Sequence, residues 1–111
     1  MQLTELVSRL SGELVVDKAD ATINSVYTGD LLSDIMGHCG DESVLITIQN
    51  HLNTIAVCSL VGIEAVVICH SRPVPDDMAE AARREAVAII VTKMSQFEAS
   101  IALKDLESSS K

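Results

Sequence analysis

Residues Asp41–Cys69 read DESVLITIQNHLNTIAVCSLVGIEAVVIC. Ser43–Ile48 gathers β-branched residues at Val44, Ile46, Thr47 and Ile48 and predicts a strand. The polar turn Gln49–Asn53 follows, and from Asn53 the pattern TIAVCSLVG carries apolar residues on nearly every side, as in a helix packed against a sheet and largely enclosed. Glu64–Cys69 (EAVVIC) is then a run of the kind found in strands covered on both faces. Two strands joined through a helix lie parallel, with a right-handed crossover and the helix on a face of the sheet.

The same alternation continues downstream. The helix DDMAEAARREA opens with Asp76 and Asp77 and carries Arg83 and Arg84 near its end, so its charges complement the helix dipole at both ends. Val87–Val91 (VAIIV) predicts another enclosed strand, and Ser95 caps a last helix carrying Phe97, Ile101, Leu103 and Leu106. Upstream, Thr4–Leu10 predicts a short amphipathic helix capped by Thr4 and stopped at Ser11-Gly12. Glu13–Val16 and Ile23–Tyr27 predict strands, and Asp30 is placed to cap a helix with Leu31, Leu32, Ile35 and Met36 as its apolar stripe. The class is therefore α/β: a single three-layer domain with a mostly parallel central sheet flanked by helices.

Composition narrows the function. At 111 residues the chain makes one domain. Its only aromatic residues are Tyr27 and Phe97, which predicts an aliphatic core. Sixteen acidic against eight basic residues give a net charge of −8, which excludes a nucleic-acid partner, because phosphate neutralisation needs a basic surface and single-strand binding also needs stacking aromatics. The first 55 residues hold eight of the acidic and two of the basic groups. The longest apolar run is far short of a membrane span, so no membrane partner is expected. Glu5 and Glu13 interrupt the N-terminus in a way a signal peptide does not. Three widely spaced cysteines, Cys39, Cys58 and Cys69, suit buried free thiols in a reducing, cytoplasmic compartment.

Ligands of parallel sheets gather beyond the carboxyl ends of the strands. Two stretches there carry chemistry. In ITIQNHLNTIA, the residues Thr47, Gln49, His51 and Asn53 can hydrogen-bond a base or phosphate beside the free N–H groups of a helix start; the same residues also make an ordinary capped turn. In CHSRPVP, His70, Ser71 and Arg72 leave the most apolar strand, and the planar guanidinium of Arg72 suits a phosphate or carboxylate. A surface pair of Arg72 with Asp76 or Asp77 is the alternative. His38-Cys39 and Cys69-His70 nominally supply four metal ligands, but adjacent residues on a strand point to opposite faces, so no metal site is expected. No cofactor motif, P-loop, GxSxG or HExxH occurs, so no catalytic residue is assigned.

With TGDLLSDIM at Thr28–Met36, the Asp41–Cys69 stretch and IIVTKMSQFEAS at Ile89–Ser100, the chain resembles the DRTGG domain family. This is the module similar to the N-terminal domain of HPr kinase/phosphorylase and found in long phosphotransacetylases and CBS-domain pyrophosphatases. The family's signature positions read QNHLN and CHSRPVP here, without the acidic–basic pair or the glycine pair, and His51 stands about where the arginine would. The resemblance implies a DRTGG-like domain over residues 1–107 with a frayed tail at 108–111. It further implies a non-catalytic regulatory or accessory module, homodimeric, that binds a small anionic ligand such as an adenine nucleotide or docks on a partner enzyme. The ligand would meet Thr47, Gln49, His51, Asn53, His70, Ser71 and Arg72. The competing readings are a small phosphoryl- or acyl-transfer enzyme with His51 or His70 as general base, and a structural subunit of a redox or hydrogenase-type complex.

Overall fold

The computed structural model describes all residues, Met1–Lys111. In chain order the elements are α1 (Leu3–Arg9), β1 (Glu13–Val16), β2 (Ser25–Thr28), α2 (Leu32–His38), β3 (Ser43–Thr47), α3 (Leu52–Val61), β4 (Ile63–Ile68), α4 (Asp76–Glu85), β5 (Ala88–Val91), α5 (Gln96–Ala102) and β6 (Glu107–Ser108). One sheet takes the strands in the order β1-β5-β4-β3-β2-β6, parallel throughout except for β1, which runs antiparallel to β5.

The alternation of side chains along the central strands builds two cores. Leu45, Val66, Ile68 and Ile89 face α2, α3 and α4, where they meet Ile35, Ile55, Cys58 and Met78. Val44, Ile46, Ala65, Val67, Ala88 and Ile90 face the other way, against Leu6 and Leu10 of the α1 segment and Ala99 and Leu103 of the α5 segment. The domain is thus three layers, helix, sheet, helix, with strands β3, β4 and β5 enclosed on both faces. The core is aliphatic as composition requires: Phe97 is 73% exposed and Tyr27 is half-buried. No helix is long and apolar enough to cross a membrane.

Several local expectations are corrected. Helix α1 begins at Leu3 with Gln2 before it, and Thr4 makes no cap. Helix α2 begins a residue later than the Asp30 cap required, with Leu31 at the N-cap. Ile35 is the buried residue of this helix, while Leu31 is 67% exposed and Met36 40%. In α5 the inward positions belong to Ala99 and, just beyond the helix, Leu103, leaving Phe97 and Ile101 on the outside. Ile23 precedes β2 rather than opening it, yet is fully buried.

The tail expected to fray is tied down. Glu107 and Ser108 pair with Ser25 and Val26, the Ser109 N–H donates to Val26 O at 2.8 Å, and the buried Ser109 hydroxyl accepts from Gly40 N–H at 2.9 Å. The polar composition of this segment concealed the reason: a sheet edge offers unpaired backbone groups that any sequence other than proline can satisfy.

Candidate functional site

At the carboxyl ends of the parallel strands, four connections converge and hydrogen bonds fasten them to one another. Asp30, in the β2–α2 turn, is the common acceptor. Its Oδ1 takes bonds from the Thr47 hydroxyl (2.9 Å), the Ile48 N–H (3.0 Å) and the Gln96 amide (3.0 Å). Burial alone would raise the Asp30 carboxyl, but these three donors, joined by the charge of Arg72, hold it below the ordinary aspartate value.

The Gln49–Asn53 turn is built inward on this acceptor. Gln49 donates its amide to Asp30 O at 2.7 Å, its own carbonyl accepts from the Thr54 hydroxyl at 2.9 Å, and its Oε1 lies 3.0 Å from His51 Nε2. Thr47 and Gln49 are therefore committed to holding the turn. His51 and Asn53 are exposed, His51 as the N-cap of α3 and Asn53 within its first turn.

The loop after β4 departs in an unusual conformation. His70 (φ 58°) and Ser71 (φ 51°) both adopt the left-handed region, costly for residues with a Cβ. The loop keeps this shape because the His70 N–H donates to Met94 O (3.0 Å) and the Ser71 N–H to Thr92 O (2.8 Å), tying it to the end of β5. Asn50 joins it to the first turn, donating to Pro73 O at 2.7 Å and accepting from Arg72 Nη2 at 3.4 Å. The pair of Arg72 with Asp76 or Asp77 does not form; no carboxylate lies within ion-pair distance of it.

Beside this loop, at the edge where β1 runs against β5, lies a cleft of about 450 Å³, within the range of small-molecule sites. The α1–β1 turn forms one wall with Glu13, the loop after β4 another with Ser71 and Arg72, and the end of β5 a third with Lys93. Val15, Val74 and Val91 supply its apolar lining. Of the seven residues singled out from sequence, Ser71 and Arg72 reach this cleft, whereas Thr47, Gln49, His51, Asn53 and His70 do not line it. Sequence reasoning missed Asp30 and Gln96 as the fastening of the turns, and Glu13 and Lys93 as walls of the cleft. The first two had a signal, an acid and an amide in polar segments that each follow a parallel strand and lead into a helix. The last two had none, because an antiparallel edge strand brings them together.

Burial pushes the Cys69 thiol up to about 11 and the Cys58 thiol higher still. Cys39 lies 3.3 Å from the Ser43 hydroxyl at the start of β3, whereas Cys69 follows the end of β4, so the two His-Cys pairs stand at opposite ends of the sheet. None of the three histidines hydrogen-bonds a serine, threonine or cysteine side chain.

The fold has a counterpart among solved structures. The chain superposes on the crystal structure of the CBS and DRTGG domains of the regulatory region of Clostridium perfringens pyrophosphatase, complexed with its activator diadenosine tetraphosphate, with a TM-score of 0.74 over 96% of this chain. This chain has a DRTGG-like fold. Sequence identity in that superposition is 15%, so the likeness is one of fold, and the DRTGG-like chain spans 47% of the length of that structure. No family model and no curated protein matches the sequence.

Proposed function

We propose that this DRTGG-like domain is a non-catalytic regulatory or accessory module that binds a small anionic ligand, an adenine nucleotide, at the carboxyl ends of its strands. The observation that carries the reading is Arg72. In a chain of net charge −8 it has no carboxylate partner, and it stands on a loop held in left-handed backbone at the wall of a cleft of about 450 Å³. A guanidinium so placed is suited to bidentate contact with phosphate. The regulatory region that shares this fold was solved with a dinucleotide activator, which supports the same ligand class. Ser71 and Arg72 are the contact residues in this reading. His51, Asn53 and His70 do not line the cleft, and Thr47 and Gln49 hold the neighbouring turn through Asp30. Calorimetric titration with AMP, ATP and diadenosine tetraphosphate tests it. Binding of at least one, weakened about tenfold in Arg72→Ala, is expected from the loss of one charged hydrogen-bonding group; absence of heat with all three contradicts the proposal.

The docking half of the proposal, a homodimer or a complex with a partner enzyme, is favoured by a different feature. Leu31 and Phe97, both largely exposed, flank the Asp30–Gln96 hydrogen bond, so two large apolar side chains stand beside each other's elements on the surface. Sedimentation of the wild type against Phe97→Glu tests it: a dimer dissociated by the substitution is expected, and a wild-type monomer at high concentration removes the homodimer.

A further inference from the structure

The cleft is lined by charged side chains of both signs. Of the eight basic residues, Arg9, Lys18 and Arg84 have carboxylate partners within 4 Å, whereas Arg72 and Lys93 have none and line the same cleft. In a chain with twice as many acidic as basic side chains, two cations without an ion-pair partner in one concavity favour an anion there. Glu13 belongs to the same cleft and also makes no hydrogen bond or ion pair. A bare phosphate would gain from the cations and lose to this carboxylate. A ligand bearing both a phosphate and a hydrogen-bond donor would gain from both.

We infer that the cleft takes a nucleoside phosphate in one orientation: phosphate on Arg72 and Lys93, ribose hydroxyls donating to Glu13, and base against Val15, Val74 and Val91. This rests on the proposal above and adds to it the class and direction of the ligand. The chemistry is separable. A paired diol is the neutral donor that a carboxylate recognises beside a phosphate group. The aliphatic lining distinguishes a nucleotide from a sugar phosphate, which has nothing to place there. Glu13 opens β1 and pairs with Val91 across the β1–β5 ladder, and Lys93 follows two residues after that partner, so the carboxylate and the ammonium come from the same end of the ladder.

Calorimetry on the whole chain with AMP, 2′,3′-dideoxy-AMP, ribose 5-phosphate and inorganic pyrophosphate tests it. AMP is expected to bind tightest, and the dideoxy analogue about tenfold more weakly, the worth of hydrogen bonds to a charged acceptor. Glu13→Gln should erase the difference between AMP and its dideoxy analogue while leaving pyrophosphate unchanged or tighter, and Lys93→Ala should weaken all four. Since neither side chain makes a hydrogen bond in the free protein, both variants should fold as the wild type does. Equal binding of AMP and the dideoxy analogue, or pyrophosphate or ribose 5-phosphate binding as tightly as AMP, overturns this inference while an anion site survives. Failure of all four to bind overturns the anion site itself.

Discussion

Asp30 does more for this domain than its place in the sequence suggests. The residue before an apolar helical stripe is ordinarily an N-cap, and Asp is a common choice there. Here the side chain instead turns across to β3 and α5, because Thr47, Ile48 and Gln96 offer it three donors in place of one helix N–H. Asp30→Ala should leave those donors without their acceptor and lower stability by about 1–3 kcal/mol, read by urea denaturation. Asp30→Asn, which keeps an acceptor oxygen, should cost less. The carboxyl is held below its unfolded value of about 3.9, so its contribution is present at neutral pH and fades as pH falls through the lowered folded value. The wild-type stability profile should therefore fall more steeply on the acid side than that of Asp30→Asn; parallel profiles would contradict the assignment. Arg72 and Ser71 were singled out in the sequence because polar side chains leaving an enclosed strand mark the ligand end of a parallel sheet, and both line the cleft. Asp30 was legible as important and misread in role, because sequence spacing shows local partners and not those across a sheet.

At the scale of elements, the strongest periodic signals were the most faithful. The apolar runs that became β4 and β5 can only be strands enclosed on both faces, and the structure buries them accordingly. The Ser95 cap is also present, in its full reciprocal form: Glu98 N–H donates to Ser95 Oγ at 3.1 Å, and Ser95 N–H to Glu98 Oε1 at 3.0 Å. Ser95→Ala should destabilise by about 1 kcal/mol. What the pattern could not show was which side of a short helix faces the sheet. With Ala99 and Leu103 inward, α5 lies close to the strands and leaves Phe97 outside, whereas large residues usually mark the buried stripe. Helix α4 ends on Ala86 in left-handed conformation (φ 56°), where glycine is the usual residue. Ala86→Gly should therefore raise stability by about 1 kcal/mol, measured in the same denaturation experiment; a loss of stability would mean that the helix end is held by something other than that turn.

For the whole molecule, the order of elements predicted the layers and the parallel sheet, while the two edges came from pairings that sequence does not encode locally. At one edge β1 runs antiparallel to β5 and closes the cleft; at the other, a two-residue β6 and the buried Ser109 cover β2. Gly40 lies so close to this strap that an added Cβ would stand 2.5 Å from Ser110 O, so Gly40→Ala should displace the strap, and the Ser109 amide, which donates to Val26 O, should then exchange faster with solvent than in the wild type. At the opposite edge lies the proposed anion site, between β1, β5 and the loop after β4. The most direct measurement is the ¹H–¹⁵N spectrum of the labelled chain titrated with AMP. Shifts centred on the amides of Ser11–Glu13, Ser71, Arg72 and Lys93 are expected; an unchanged spectrum, or shifts confined to Leu31, Phe97 and their neighbours, would contradict an anion site in this cleft.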